Sequence, residues 1–387
     1  MRYLLFFVLF LSSAKSFGRA NVDYSIHQQY ISPRAMGMGN TFTGIDDYNV
    51  IFYNPALLRV LPEGEVNIGF YLAATPEIQG FYKDVEDATG EGDETEKIEK
   101  MADVLDERSG DNYSIRGPEL NVFWARPGWG VALVLLDSQI NLGIHQAGSP
   151  AVGVKAIQDN TLAFGYAWNL NKQKSFNIGA TGRLVYRATV DEAYTALDFV
   201  DDSEVFREED LKEGLLFDVD LGLSYTPEFS KTGSFRWLQF MQPTFGLVFR
   251  NLLDEAGYIG NQHWISKKSD EEEKPEFSER RVDVGMKLEF PQWWVFTNRL
   301  MFDVRDINHR YWSVTKGVHL GYEANWKLSD WFNGGWRVGV NQGYLTGGFT
   351  GEFAWFHMDL VTYAEEIGTT DARKENRMYM AKLSLDF

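Results

Sequence analysis

From residue 65 to the end of the chain, apolar side chains recur at every second position. In "EGLLFDVDLGLSY", Leu215, Phe217, Val219, Leu221, Leu223 and Tyr225 share one face, and Asp218, Asp220, Gly222 and Ser224 share the other. In "RRVDVGMKLEF", Val282, Val284, Met286, Leu288 and Phe290 oppose Arg281, Asp283, Gly285, Lys287 and Glu289. "TLAFGYAWNL" and "KGVHLGYEANW" repeat the pattern. Successive side chains of a strand point to opposite faces, so these stretches are two-faced strands. The alternation predicts about fourteen of them. They fall near 65–74, 118–125, 130–143, 161–170, 175–188, 213–226, 243–251, 281–290, 295–306, 316–326, 331–342, 345–354, 355–365 and 377–387.

Two-faced strands also build soluble sandwiches, with the apolar face inward. A closed barrel of this many strands differs, because its interior is too wide for side chains to fill. Its apolar face must then turn outward to lipid. The polar face (Arg183, Arg187, Asp218, Asp220, Arg250, Asp283, Asp303, Arg305, Glu323, Arg337) lines a lumen in which opposite charges pair. Several strands are about 10 residues long, the length that a tilted strand needs to cross a bilayer. Tryptophans crowd the strand ends, among them Trp124, Trp129, Trp168, Trp293, Trp294, Trp326 and Trp331. Indole rings favour the headgroup level, which fits an aromatic belt. The fold class expected is all-β: a transmembrane antiparallel β-barrel of about fourteen strands.

The chain opens with "MRYLLFFVLFLSSAKSFGRA", a positive charge, a short apolar run and then small residues. That is the anatomy of a secretory signal peptide over residues 1–20. The sequence holds no cysteine, so export serves neither a disulfide framework nor a cysteine-borne lipid anchor. A net charge of −18 repels DNA and RNA. The acidity is concentrated in insertions near 81–112, 190–212 and 254–278. Ile98, Met101, Val104 and Leu105 recur there at helical spacing. Such insertions are surface loops, a lid over a pore, or a docking surface for envelope proteins.

The stretch "SPRAMGMGNTFTGIDDYNVIFYNPALL" precedes the first strand. Arg34, Ala35, Gly37, Met38, Gly39, Thr41 and Phe42, then Asp46 and Asp47, then Tyr53, Asn54, Pro55 and Ala56 resemble the N-terminal signature of the FadL-type outer-membrane superfamily. That group embraces long-chain fatty-acid transporters and the PorV-like and TraF-like barrels. "FGLVFRNLLD" and "WRVGVNQGYLTGGFTGEF" are similar in style, and "YMAKLSLDF", ending on Phe387, resembles the sorting signature of outer-membrane barrels. The resemblance implies that residues 21–63 form a plug inside a barrel spanning 64–387. Gly37 and Gly39 suit close approach to strand backbones, and the residue before a proline avoids the helical region, so Asn54-Pro55 favours a turn. Arg34 is expected to pair with lumen carboxylates such as Asp218 or Asp220.

The sequence carries no G-x-S-x-G, H-E-x-x-H or G-x-x-x-x-G-K-[ST], and its six histidines are scattered. No catalytic residue, metal ligand or cofactor is expected. The plug and substrate-path residues expected are Arg34, Gly37, Gly39, Asn54, Pro55 and Ala56. The lumen charge network expected comprises Arg183, Asp218, Asp220, Asp283, Arg305 and Arg337. The implied function is passive uptake of small hydrophobic, fatty-acid-like molecules through an outer-membrane channel gated by the plug. The alternative is a non-transporting PorV-like or TraF-like barrel that acts as a scaffold or accessory in secretion or surface assembly. The partners expected are outer-membrane lipids, hydrophobic small molecules and envelope proteins, with no nucleic acid.

Overall fold

Each strand of the ring pairs antiparallel with the next one around it, and the last pairs with the first. The computed structural model describes residues 23–146, 150–200, 211–228, 236–262, 264–265, 274–369 and 371–387, so the expected signal peptide lies outside the described residues. The strands are β1 (Glu65–Ala74), β2 (Asn112–Arg126), β3 (Trp129–Gln146), β4 (Pro150–Asn169), β5 (Phe176–Thr195), β6 (Lys212–Tyr225), β7 (Thr244–Arg250) and β8 (Tyr258–Gly260). They continue with β9 (Arg281–Glu289), β10 (Phe296–Ile307), β11 (Val318–Lys327), β12 (Phe332–Asn341), β13 (Tyr344–Phe353), β14 (Phe356–Glu366) and β15 (Glu375–Asp386). The three-residue β8 only extends the edge of β6 beyond the end of β7, so fourteen strands make the ring. Val66 and Phe387 exchange backbone hydrogen bonds of 2.9 Å at the seam. Closure leaves no edge whose amides would be unsatisfied in lipid. Among the described residues no helix is long and apolar enough to cross a membrane.

The ring is inside out relative to a soluble protein. In β1, Asn67, Tyr71 and Ala73 are buried in the lumen, whereas Ile68, Phe70 and Leu72 are exposed on the outer face. In β4, Leu162, Phe164, Tyr166 and Trp168 face out, and Thr161, Ala163 and Ala167 face in. The lumen-facing arginines and carboxylates expected from the alternation are all buried. Short connections such as 127–128 and 354–355 lie at one end of the barrel with Phe387, while the long acidic insertions lie at the other.

Four strands outrun the expected boundaries. β4 and β5 each have 20 residues, against 10 in β11, β12 and β13. At about 3.3 Å per residue this side of the wall stands roughly twice as tall. The alternation fades there because the outer face is covered by protein rather than by lipid. Helices Ile78–Gly90 and Glu94–Glu107 pack Phe81, Met101 and Leu105 against Tyr113, Ile144, Val152, Val154 and Tyr194. Val152 and Val154 share the parity of outward-facing Leu162, so this helical pair buttresses the outside of the wall and is not a lid over the lumen. Asp93 caps the second helix by accepting from the Glu96 amide at 2.9 Å.

Candidate functional site: the plug and its seat in the lumen

Residues 23–63 run down the lumen from the long-loop end to the short-turn end. At the top, the Tyr24 amide donates to the Ile367 carbonyl (2.9 Å), and Lys316 Nζ donates to the Tyr24 carbonyl (2.7 Å). Below, Pro33 opens the one-turn helix Pro33–Gly37, a position where its missing N–H is no loss. The chain then turns back at Gly39 (φ 74°) and Asn40 (φ 58°). A second short helix, Val50–Tyr53, passes into the 3-10 helix Pro55–Val60. Asn54 caps that helix, its Oδ1 accepting from the Ala56 amide (3.1 Å) and its Nδ2 donating to the Leu223 carbonyl of β6 (3.1 Å).

The wall is cut to fit the plug. Inward-facing glycines recur on β3 to β7, β9 and β11 to β13, and plug atoms occupy the space their side chains would take. A Cβ on Gly222 would lie 2.1 Å from Asn54 Oδ1, one on Gly179 2.4 Å from Pro55 C, and one on Gly165 2.7 Å from Leu58 Cδ1. Across the lumen, a Cβ on Gly321 would meet the Met38 carbonyl at 2.3 Å, and one on Gly339 the Gly39 nitrogen at 2.4 Å. Gly37 lies against Gly348, where an added Cβ would come within 3.1 Å of that residue's Cα. Side chains at these positions would hold the plug away from the strands.

Barrel arginines grip the plug by its backbone carbonyls. Arg250 donates to the carbonyls of Phe52 (2.6 Å) and Tyr53 (2.8 Å), Arg305 to Asn40 (2.6 Å) and Arg281 to His27 (3.2 Å). Arg116 reaches the carbonyl of Gln28, and Arg183 reaches the side chain of Gln29. Asp303 works with the opposite polarity, accepting from the amides of Phe42 (2.5 Å) and Thr43 (3.1 Å) and from Thr43 Oγ1 (2.5 Å). Charge-assisted bonds of this kind are about twice as strong as neutral ones.

The expected lumen network divides into two. Arg183 pairs with Asp220 (2.7 Å), and Arg305 with Asp283 (3.4 Å). Arg250 bridges them, 2.5 Å from Asp283 and 3.7 Å from Asp220. Among the described residues Asp218 pairs with no arginine; its carboxylate accepts instead from the amides of Val219 (2.7 Å) and Leu253 (3.0 Å). Arg337 belongs to a separate cluster at the short-turn end, bound to Glu323 (2.8 Å) and Asp359 (3.4 Å). Arg34 joins that cluster, which corrects the partners expected for it. Its Nε and Nη2 straddle Glu323 (2.8 and 2.7 Å), and Nη1 bonds Asp46 and Asp47 (2.8 Å each). Asp218 and Asp220 lie on β6, whereas the helix that carries Arg34 packs on β12 to β14. The pattern of alternation identifies inward residues but not which strands face a given stretch of plug. For the same reason it does not single out Asp303, Arg250, Arg281 and Arg116 as the plug's principal holds.

One part of the lining is apolar. Ile51, Leu57 and Leu58 of the plug share one core with Phe123, Ala125, Ala132, Val134, Ala163 and Ala167 of β2 to β4. This strip, alanine-rich below Phe123, descends from an interruption in the wall. The β2–β3 pairing stops at Arg116↔Gln139 and resumes at Leu120↔Leu135, leaving 117–119 and 136–138 unpaired. Gly117 (φ 90°) and Leu136 (φ 57°) carry the distortion, and the Leu136 amide turns to Asn160 Oδ1 (3.0 Å). A vestibule of about 650 Å³ opens at the short-turn end, lined by Arg34, Asp46, Arg299, His357 and Phe387 among others. At mid-height the plug fills the lumen, and Ile31, Met36, Met38 and Phe42 are wholly buried. Among the described residues no group of His, Asp and Glu is arranged to hold a metal ion.

No family model and no curated protein sequence matches this chain. Solved structures similar in fold include the Ralstonia pickettii toluene transporter TbuX, 10% identical, covering 93% of this chain and 99% of its own with a TM-score of 0.48. A Pseudomonas aeruginosa FadL homologue is 9% identical, covering 94% and 98% with a TM-score of 0.48. The Pseudomonas putida toluene transporter TodX is 10% identical, covering 94% and 99% with a TM-score of 0.42.

Proposed function

We propose that this FadL-like barrel is an outer-membrane channel for passive uptake of small hydrophobic molecules, gated by movement of its N-terminal plug. One observation carries the reading: Leu57 and Leu58 of the plug lie on the alanine-rich strip of β2 to β4, while arginines and Asp303 elsewhere on the wall bind the plug's backbone. Displacement of the 3-10 helix Pro55–Val60 from that strip would open an apolar groove between the wall interruption and the vestibule. Small apolar solutes gain about 25 cal/mol per Å² of surface removed from water, so such a groove attracts them without an energy source. Arg34, Gly37, Gly39, Asn54, Pro55 and Ala56 act in this scheme as the hinge and seat of the plug. The scheme includes export to the outer membrane with residues 1–20 removed, and it uses neither a cofactor nor a catalytic group.

The filled mid-lumen favours a second reading, a scaffold barrel whose plug never moves and whose acidic insertions hold envelope proteins. Vesicles containing the purified protein separate the two. Entry of a hydrophobic fluorescent dye is expected to exceed that into empty vesicles, and to rise further with Gly222→Val, which pushes Asn54 and Pro55 off the wall. Equal entry into all three preparations would end the transport reading and leave the scaffold.

A further inference from the structure

Between plug and wall lies a small cavity of about 20 Å³, lined by buried side chains. That is room for one occupant the size of a water molecule or slightly larger. Its charged lining is one-sided. Arg183, Arg250, Arg281 and Arg305 all face it, and no carboxylate does. The side chains of these arginines are only 3–8% exposed. The carboxylates that pair with them, Asp220, Asp283 and Asp306, stand outside the lining. Two guanidinium donors, Arg183 Nε and Arg281 Nε, are buried with no hydrogen-bond acceptor in the protein. A buried donor left unmade is costly, and one on a charged group more so. From the plug side the cavity meets Gln28, Gln29, Tyr30, Phe52 and Tyr53, segments already gripped by these arginines.

We propose that this cavity is a binding site for a small inorganic anion of halide size, which bridges the four arginines and locks the plug to the wall. Four arginines share three carboxylates, so the cavity wall keeps an excess of positive charge, felt more strongly at the low local dielectric. A water molecule would accept hydrogen bonds there without offsetting that charge; an anion does both. Bound anion then stabilises the seated plug over any open form in proportion to its occupancy.

Bromide is the probe. The intact protein, crystallised from a bromide buffer, is expected to show an anomalous scattering peak within the four arginines. Gln29→Glu places a carboxylate at the cavity, beside the Arg183 to which Gln29 already bonds. That built-in anion should abolish the peak. The thermal midpoint of the wild type should be higher in chloride than in gluconate at equal ionic strength. A cavity without the peak in wild-type crystals, or equal midpoints in the two salts, would show that water fills it and would overturn the proposal. The wild-type arms decide the matter even if Gln29→Glu fails to fold.

Discussion

Asp303 illustrates how much of the plug's hold rests on one side chain. Three plug donors converge on its carboxylate. Asp303→Asn keeps the shape but turns one acceptor oxygen into a donor that faces N–H groups. The seat should weaken by about 1–3 kcal/mol, the penalty for a buried polar group left unmatched. Limited proteolysis is expected to cut within 23–63 in this variant while the barrel survives; wild-type resistance would show that the contact is dispensable. His309 governs the other end of the plug, through pH. Burial, and then the charge of Arg281, push its imidazole down to about 4, and its Nδ1 accepts from the Tyr311 amide at 3.1 Å. Tyr311 in turn packs edge-on against Tyr24 with ring centroids 5.3 Å apart. A histidine held below its unfolded value near 6.5 binds fewer protons folded than unfolded, so its loop is fully stable above that pH. Stability should fall as pH drops from about 6.5 towards 4. The protection factor of the Tyr311 amide against hydrogen exchange, its rate relative to an unstructured amide at the same pH, should fall over that window in the wild type and not in His309→Gln.

At the scale of elements, the helical pair Ile78–Gly90 and Glu94–Glu107 and the tall strands β2 to β5 depend on each other. The upper strands carry outward apolar residues, Ile144, Val152 and Val154, above the reach of the shorter strands. Without the helices these side chains would face water. Met101, wholly buried in this contact, is expected to contribute about 2–5 kcal/mol to docking, the range for removing a buried methionine side chain. Met101→Ala should release the helices to protease near residue 91 and leave the ring intact. Heat-modifiable migration on a gel reads the ring, and fragment mapping reads the helices. Loss of both together would mean that the wall extension is needed for barrel assembly itself.

For the molecule as a whole, the decisive asymmetry is between its two surfaces. The outer face of the ring carries Leu221 (37% exposed), Phe302, Leu320 and Leu360, while Asp220, next to Leu221, is 1% exposed within the lumen. An arginine at Leu221 near the bilayer midplane should cost about 2–4 kcal/mol. Leu221→Arg is expected to lower the yield of folded, heat-modifiable barrel in phospholipid bilayers. Unchanged folding would mean that lipid does not cover this face. The short turns and Phe387 lie at one end and the acidic insertions at the other, which in outer-membrane barrels corresponds to periplasmic and extracellular sides.

The sequence alone determined the ring. Period-two alternation depends on neighbours two residues apart, and lipid outside with charge inside stamps it on every strand from β6 to β15 that spans the wall. It also marked Asp283, Arg305 and Arg337 as inward, because parity is a local property. Parity weakened in the upper parts of β2 to β5, where a protein partner replaced lipid and both faces became mixed. The pairing of plug with wall was decided only by the tertiary structure. Arg34 meets Glu323, 289 residues away, because β11 and the plug happen to share a height in the closed ring. Gly222 must be glycine because Asn54 lies against it, 168 positions back along the chain and in direct contact across the lumen. Such contacts follow from closure, strand tilt and the path of the plug, which no short window of residues encodes.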